Sequence, residues 1–299
     1  MLHTGDNLGI LKELESECID LIYLDPPFFT QKDWEDFDDR WADIDEYVSF
    51  LKVRCEEMYR ILKPTGSFYL HCDENASHYI KVMLDDLFGR TRFKGEIVWR
   101  RHARRSDGKK WGCIHDTILF YTKSKDYTWN NIYTPLTEEY INSTYSHKDE
   151  NGRYGLLSVC NTKAGGYEYS LGIGEIMPKN GYRMPQQTAR QWIKDGILVI
   201  EKGKKPRKKS YLHQSKGIKV NSLFLDIKKD SSNQYSTQKP EALLERIIAA
   251  SSNAEDTILD PFCGSGTTLV AAKKLGRKYV GIDENKRAIG ITRERLRSI

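Results

Sequence analysis

No stretch of this 299-residue chain approaches the roughly 18 to 20 consecutive apolar residues that a membrane-spanning helix requires. With a mean hydropathy of −0.62 and 30% charged residues, the expectation is a soluble chain without a membrane partner. The opening residues, Met1-Leu2-His3-Thr4-Gly5-Asp6, lack the basic-then-apolar pattern of an export signal, so a cytoplasmic location is expected. Six cysteines are scattered at positions 18, 55, 72, 113, 160 and 263 without a Cys-x-x-Cys pair. That spacing argues against a zinc site and against a disulfide framework; reduced thiols and no metal are expected. Internal repeats and compositional tails are missing too.

What charge there is lies in clusters. The net charge of +5 is only mildly basic, but Arg100, Arg101, Arg104, Arg105, Lys109 and Lys110 form one group, and Lys202, Lys204, Lys205, Arg207, Lys208 and Lys209 another. Such runs are clamps for phosphates or solvated loops. The second is interleaved with Tyr167, Tyr169, Tyr182, Trp192 and Tyr211, and rings among cations suit nucleic acid, where phosphates are neutralised and bases stacked.

Periodicity divides the chain into three parts. Leu8, Leu11 and Leu14 predict a short helix, and Ile19–Leu24 a buried strand. A polar and aromatic loop with Trp34, Phe37 and Trp41 follows, long enough to be a flap. Val48, Leu51, Cys55, Met58 and Leu62 predict a helix ended by Pro64 and Gly66. A strand over 67–72, a helix ending at Gly89, and strands over 96–99 and 117–121 come next. Alternation of strand and helix predicts a parallel sheet covered on both faces. From about 131 to 236 the periodicity weakens, which predicts an inserted or second domain, and order returns at Gln238-Lys239-Pro240.

Two loops carry candidate chemistry. Asp25-Pro26-Pro27-Phe28 stands where the strand Ile19–Leu24 ends. Prolines fix φ and remove backbone donors, so the loop is stiff and carbonyl-rich, suited to a planar, amine-bearing group; an ordinary turn has similar composition. The second loop, Asp260-Pro261-Phe262-Cys263-Gly264-Ser265-Gly266-Thr267-Thr268, joins the strand 257–259 to a helix. Glycines at such a turn let a ligand approach the backbone and meet the first helical N–H groups. Asp283 ends the next strand about 20 positions on, where it can accept from ribose hydroxyls. The third glycine of a dinucleotide fingerprint and the Gly-Lys-Ser/Thr of a P-loop are both missing, which weakens the phosphate-binding readings.

Asp260-x-Phe262-x-Gly264-x-Gly266 resembles the S-adenosylmethionine motif of amino-group DNA methyltransferases, and Asp25-Pro26-Pro27-Phe28 resembles their catalytic motif. The catalytic motif comes first, as in the β group of that family. The resemblance covers roughly residues 1–130 and 237–299. It implies an α/β fold with a Rossmann-like S-adenosylmethionine-dependent methyltransferase sheet in circularly permuted motif order. Residues 1–130 would form the catalytic half, 131–236 an inserted target-recognition region and 237–299 the cofactor-binding half. The segment at Gly5-Asp6 would continue the sheet that the C-terminal strand and helix leave.

Residue by residue, the resemblance implies that Asp260, Phe262, Gly264, Gly266 and Thr267 hold the methionine end of S-adenosylmethionine. Asp283 would take the ribose, Asp6 the adenine amine and Lys239 the methionine carboxylate. His71 and Asp73 resemble a further segment near the cofactor, or serve as a strand histidine and a helix N-cap. Asp25 and the Pro26 carbonyl would accept the two N–H bonds of an exocyclic amine, with Phe28 stacked on the extruded base and Pro27 stiffening the loop. Arg100, Arg101, Arg104, Arg105, Lys205, Arg207 and Lys208 would contact double-stranded DNA. The reaction implied is methylation of adenine N6, since cytosine-N4 members more often carry Ser where Asp25 stands. Cytosine-N4 transfer, a non-catalytic nucleic-acid-binding relative and a nicotinamide dehydrogenase are the alternatives. Cytosine-C5 chemistry is excluded, because no cysteine follows a proline. The resemblance leaves open a homodimer and a cognate restriction endonuclease as partners.

Overall fold

The computed structural model describes residues 1–32, 39–103, 108–229 and 238–299. Trp34, Phe37, Arg104 and Arg105 lie outside the described residues. The chain forms two compact units, one of Met1–Ile132 with Asn221–Ile299 and one of Tyr133–Val220.

The first unit begins with β1 (Leu2–Thr4), α1 (Asn7–Glu13), β2 (Ile19–Leu24), α2 (Ile44–Ile61), β3 (Leu62–Cys72), α3 (Ser77–Phe88), β4 (Phe93–Arg100) and β5 (His115–Thr122). The second contains β6 (Tyr133–Thr134), α4 (Glu138–Thr144), β7 (His147–Asp149), β8 (Gly152–Ser158), α5 (Gln186–Lys194), β9 (Leu198–Val199), β10 (Arg207–Tyr211) and β11 (Ile218–Lys219). Returning to the first, the chain adds β12 (Leu223–Phe224), α6 (Glu241–Ser251), β13 (Thr257–Asp260), α7 (Thr267–Lys274), β14 (Lys278–Asp283) and α8 (Lys286–Arg297).

Local chemistry sets the helix ends. Asp43 caps α2 by accepting from the Glu46 N–H at 2.8 Å, and Tyr47, Leu51, Cys55 and Met58 form its buried stripe. The helix stops at Ile61 because Leu62 is already extended, and the residue before a proline is disfavoured in the helical region. Pro64 and Gly66, expected as terminators, therefore lie inside β3.

The eight-stranded sheet has the order β1-β14-β13-β2-β3-β5-β4-β12. It is mixed, which corrects the expectation of a parallel sheet: β5 runs antiparallel to both β3 and β4. Among the described residues between β4 and β5 there is no helix to carry the chain back across the sheet, so consecutive strands pair as antiparallel neighbours. Ile22, Leu24, Phe68 and Leu70 face α1, α2 and α3 in the main core. Alternation turns Tyr69 to the other face, where its hydroxyl meets Ser251 of α6 at 2.6 Å. The N-terminus extends the sheet beyond the C-terminal strand, with His3 opposite Ile282.

The second unit is built on the antiparallel sheet β7-β8-β10-β9 and the pair β11-β6. Val159, Tyr182, Met184, Ala189 and Leu198 form its core. Several of its strands are two or three residues long, too short to leave a periodic trace in the sequence.

Candidate active site

Register brings the two loops together. In the β13–β2 pair Ile258 lies opposite Leu21 and Leu259 opposite Ile22. Asp260 and Asp25 thus leave neighbouring parallel strands at the same sheet edge, the place where open α/β sheets bind ligands. Between them opens a cleft of about 1020 Å³, lined on one side by residues 25–28 and on the other by residues 260–265.

The first loop is tightly held. Tyr47 donates to the Pro27 carbonyl at 2.5 Å, and the buried Asp39 carboxylate accepts from the backbone N–H groups of Phe29 and Thr30 at 2.9 and 2.8 Å. Asp25 Oδ2 pairs with the Lys239 ammonium, which stands 5.0 Å from the centre of the Phe28 ring. Asp25 Oδ1 is buried, accepts no hydrogen bond among the described residues, and is 3.9 Å from His71 Nδ1.

Behind this loop runs a buried polar chain. His71 Nδ1 bonds the Tyr23 hydroxyl at 2.7 Å, and Nε2 bonds Asp116 Oδ2 at 3.2 Å. Arg101 pairs with the other oxygen of Asp116 at 2.9 Å. Burial works to raise the Asp116 pKa, but the His71 bond and the Arg101 guanidinium outweigh it and hold the carboxyl below the usual range. The Phe28 ring lies 5.4 Å from His71, and Trp99 meets the same imidazole edge-on at 5.8 Å.

In the second loop, Asp260 is buried and accepts from the Phe262 N–H at 3.1 Å and the Thr268 hydroxyl at 2.5 Å. Burial pushes its pKa up to about 7. Gly264 and Gly266 have φ of +51° and +78°, the left-handed region that glycine enters at little cost. A Cβ on Gly264 would meet nothing within 4 Å, whereas one on Gly266 would stand 2.4 Å from Thr292. Asp283 Oδ2 accepts from the Gly264 N–H at 2.8 Å, and Oδ1 from that of Asn285 at 2.9 Å.

Asp25, Pro26, Pro27, Phe28, Lys239, Asp260, Phe262, Gly264, Thr267 and Asp283 all line the cleft. Gly266 supports it from behind as the residue before α7. His71 is fully buried and lies outside the lining. Asp6 caps α1 and pairs with Arg54 at 2.6 Å; its neighbours Gly5 and Asn7 line the cleft instead. Arg101 lines it as well, while Arg100 donates to the Leu225 carbonyl at 2.8 Å. In the second unit Lys205 and Arg207 are exposed and Lys208 lies over the Trp192 ring at 4.1 Å. Sequence reasoning missed Asn7, which donates to the Pro261 carbonyl at 2.8 Å, and also Asp39, Tyr47 and Asp116. Each acts through a partner distant in sequence; only the position of Asn7 at the mouth of a strand-to-helix turn offered a signal.

This sheet order, with a carboxylate–proline loop and a glycine loop on adjacent strand ends, defines a Rossmann-like α/β methyltransferase fold. The family described as DNA methylase matches residues 19–294, and the chain belongs to that family. It is 32% identical over 300 residues to the type II methyltransferase M.EcaI of Enterobacter cloacae, covering 94% of this chain and 66% of that enzyme. It is 29% identical to the DNA adenine methyltransferase YhdJ of Escherichia coli K12, covering 98% and 81%. Among solved structures, a DNA modification methylase of Thermus thermophilus in complex with S-adenosyl-L-methionine superposes with a TM-score of 0.56 at 19% identity, covering 99% of this chain and 93% of that one. The chain thus spans just under two thirds of the Enterobacter enzyme's length.

Proposed function

We propose that the chain transfers a methyl group from S-adenosylmethionine to N6 of adenine in double-stranded DNA, acting on a base extruded from the duplex. The observation that carries this reading is the adjacency of Asp25 and Asp260 on neighbouring strand ends, which gives donor and acceptor one cleft. The glycine loop fits the cofactor: the backbone at Gly264 is open to close approach, and Phe262, Asp283 and Asn285 bound the space beside it. When bound there, S-adenosylmethionine supplies an electrophilic methyl group on its sulfonium.

The protein's own residues do the rest. An exocyclic amine has its lone pair delocalised into the ring and is a poor nucleophile. Asp25 and the Pro26 carbonyl accept its two N–H bonds, favour pyramidalisation and place negative charge against the cationic amine that forms. Asp25 then takes the released proton. Extrusion costs a few kcal/mol. Stacking on Phe28, worth about 1–3 kcal/mol, offsets part of it. Arg101, His102 and Lys110 line the cleft, and Lys205 and Arg207 offer cations on the second unit, the region that we assign to target recognition.

Adenine is favoured over cytosine by the aspartate at position 25 and by the name of the YhdJ relative. The test incubates the full chain with DNA and labelled S-adenosylmethionine and identifies the modified nucleoside. N6-methyladenine is expected, with Asp25→Ala losing transfer while still binding S-adenosylhomocysteine. N4-methylcytosine would move the acceptor to cytosine, and full transfer by Asp25→Ala would refute the assignment of that residue.

A further inference from the structure

Two consecutive residues reach the two loops of the cleft. Gln238 Oε1 accepts from the Ser265 hydroxyl of the glycine loop at 3.3 Å. Lys239 bonds Asp25 and stands over the Phe28 ring on the acceptor loop. The ammonium therefore engages the carboxylate and the ring that the proposed reaction gives to the target base. A cation held by a carboxylate and an aromatic face satisfies the groups that a planar amine would use. Base and ammonium compete for one place.

Charge makes the competition matter. Methyl transfer puts positive charge on the acceptor nitrogen before its proton leaves, and an ammonium on the same carboxylate opposes that charge at short range. Lys239 can give up Asp25 only where another anion receives it. Its stem is flexible and four carbons long, and its neighbour Gln238 already touches the glycine loop. An α-amino-acid carboxylate at that loop would be such an anion.

Resting on the proposed function, we propose that Lys239 is a positioning residue shared by the two substrates. Paired with Asp25 it covers the acceptor place, and it vacates that place when a carboxylate at the glycine loop takes its ammonium. Cofactor binding and base entry are then coupled through one side chain.

The test uses the full chain and a duplex carrying 2-aminopurine at the site found by the methylation assay, with fluorescence reporting extrusion. S-adenosylhomocysteine is compared, at saturation, with 5′-methylthioadenosine, which keeps the nucleoside and thioether but has no carboxylate. In the native protein the former should raise duplex affinity and extrusion about tenfold, and the latter less than about twofold. Lys239→Met should extrude the base without either ligand and show coupling below about twofold. Equal coupling by both ligands, or undiminished coupling in Lys239→Met, would overturn the proposal. If that variant does not fold, the ligand comparison in the native protein decides. Neither transfer nor extrusion by native protein with S-adenosylmethionine would instead defeat the functional reading beneath it.

Discussion

Thr30 and Asp39 are joined twice: Asp39 Oδ2 accepts from the Thr30 N–H at 2.8 Å and from its hydroxyl at 2.6 Å. Oδ1 of the same carboxylate accepts from the Phe29 N–H and from the Trp41 indole at 2.9 and 3.1 Å. Phe29 and Gln31 have φ of +60° and +57°, uncommon for residues with side chains. The carboxylate thus holds a strained backbone directly behind Phe28. Asp39→Ala should cost about 2–4 kcal/mol in urea unfolding, because donors turned toward a buried carboxylate lose their acceptor. Asp39→Asn should do nearly as badly, since its amide group opposes donors. Methyl transfer should fall with S-adenosylhomocysteine affinity unchanged. Native stability in Asp39→Ala would show that the loop is held by other contacts.

The two glycines of the second loop should fail in different ways. At Gly264 a methyl group meets open space, so Gly264→Ala pays about 1–2 kcal/mol for its left-handed backbone and otherwise obstructs the cleft. Cofactor affinity should drop at least tenfold while the fold persists. At Gly266 a methyl group collides with Thr292, whose hydroxyl bonds the Gly264 carbonyl at 2.8 Å. Gly266→Ala should lower the melting temperature more than Gly264→Ala does, by calorimetry. A reversed order would disprove the distinction.

His71→Ala should act on stability before it acts on chemistry. Removing the ring strands the Tyr23 hydroxyl and the Asp116 carboxylate in the core and opens space beside Phe28 and Trp99. A loss of about 3–5 kcal/mol is expected. At a temperature where the variant remains folded, its affinity for S-adenosylhomocysteine should stay within about twofold of native. A large change in that affinity would return His71 to the cofactor.

Features that a single segment determines were legible in the sequence. The apolar run of β2, the stripe of α2 and the turn after β13 are local, so Asp25 and Gly264 could be placed on strand ends before any contact was known. Strand direction was not legible, because β5 has the same buried pattern whichever way it runs. The partners of chosen residues were hidden for a similar reason. Lys239 is 214 positions from Asp25, and nothing in Gln238-Lys239-Pro240 shows that its ammonium lies on the acceptor carboxylate. Asp116 and Asn7 gave no pattern, since a buried carboxylate or amide is defined by what surrounds it.

Asp260 gives stability a pH dependence of known sign. Its folded pKa is raised by burial to about 7, whereas an unfolded aspartate titrates near 3.9. Between those values the folded chain holds the proton more firmly than the unfolded chain, so stability falls as pH rises. The contribution is fully present below about pH 4, is lost through the window from 4 to 7, and is level above it. Asp260→Asn keeps an oxygen for the Phe262 N–H and removes the titration. The stability of native protein relative to Asp260→Asn should therefore decline by up to about 4 kcal/mol between pH 4 and pH 8. Other groups titrate in the same range: burial raises Asp73 to about 6, and Asp116 is held low by His71 and Arg101 despite its burial. They are present in both proteins and cancel in the difference, so urea unfolding of the pair at several pH values isolates Asp260. A difference that is flat, or that grows with pH, would mean the carboxylate is ionised inside the fold, its charge held by the Thr268 hydroxyl and the Phe262 N–H.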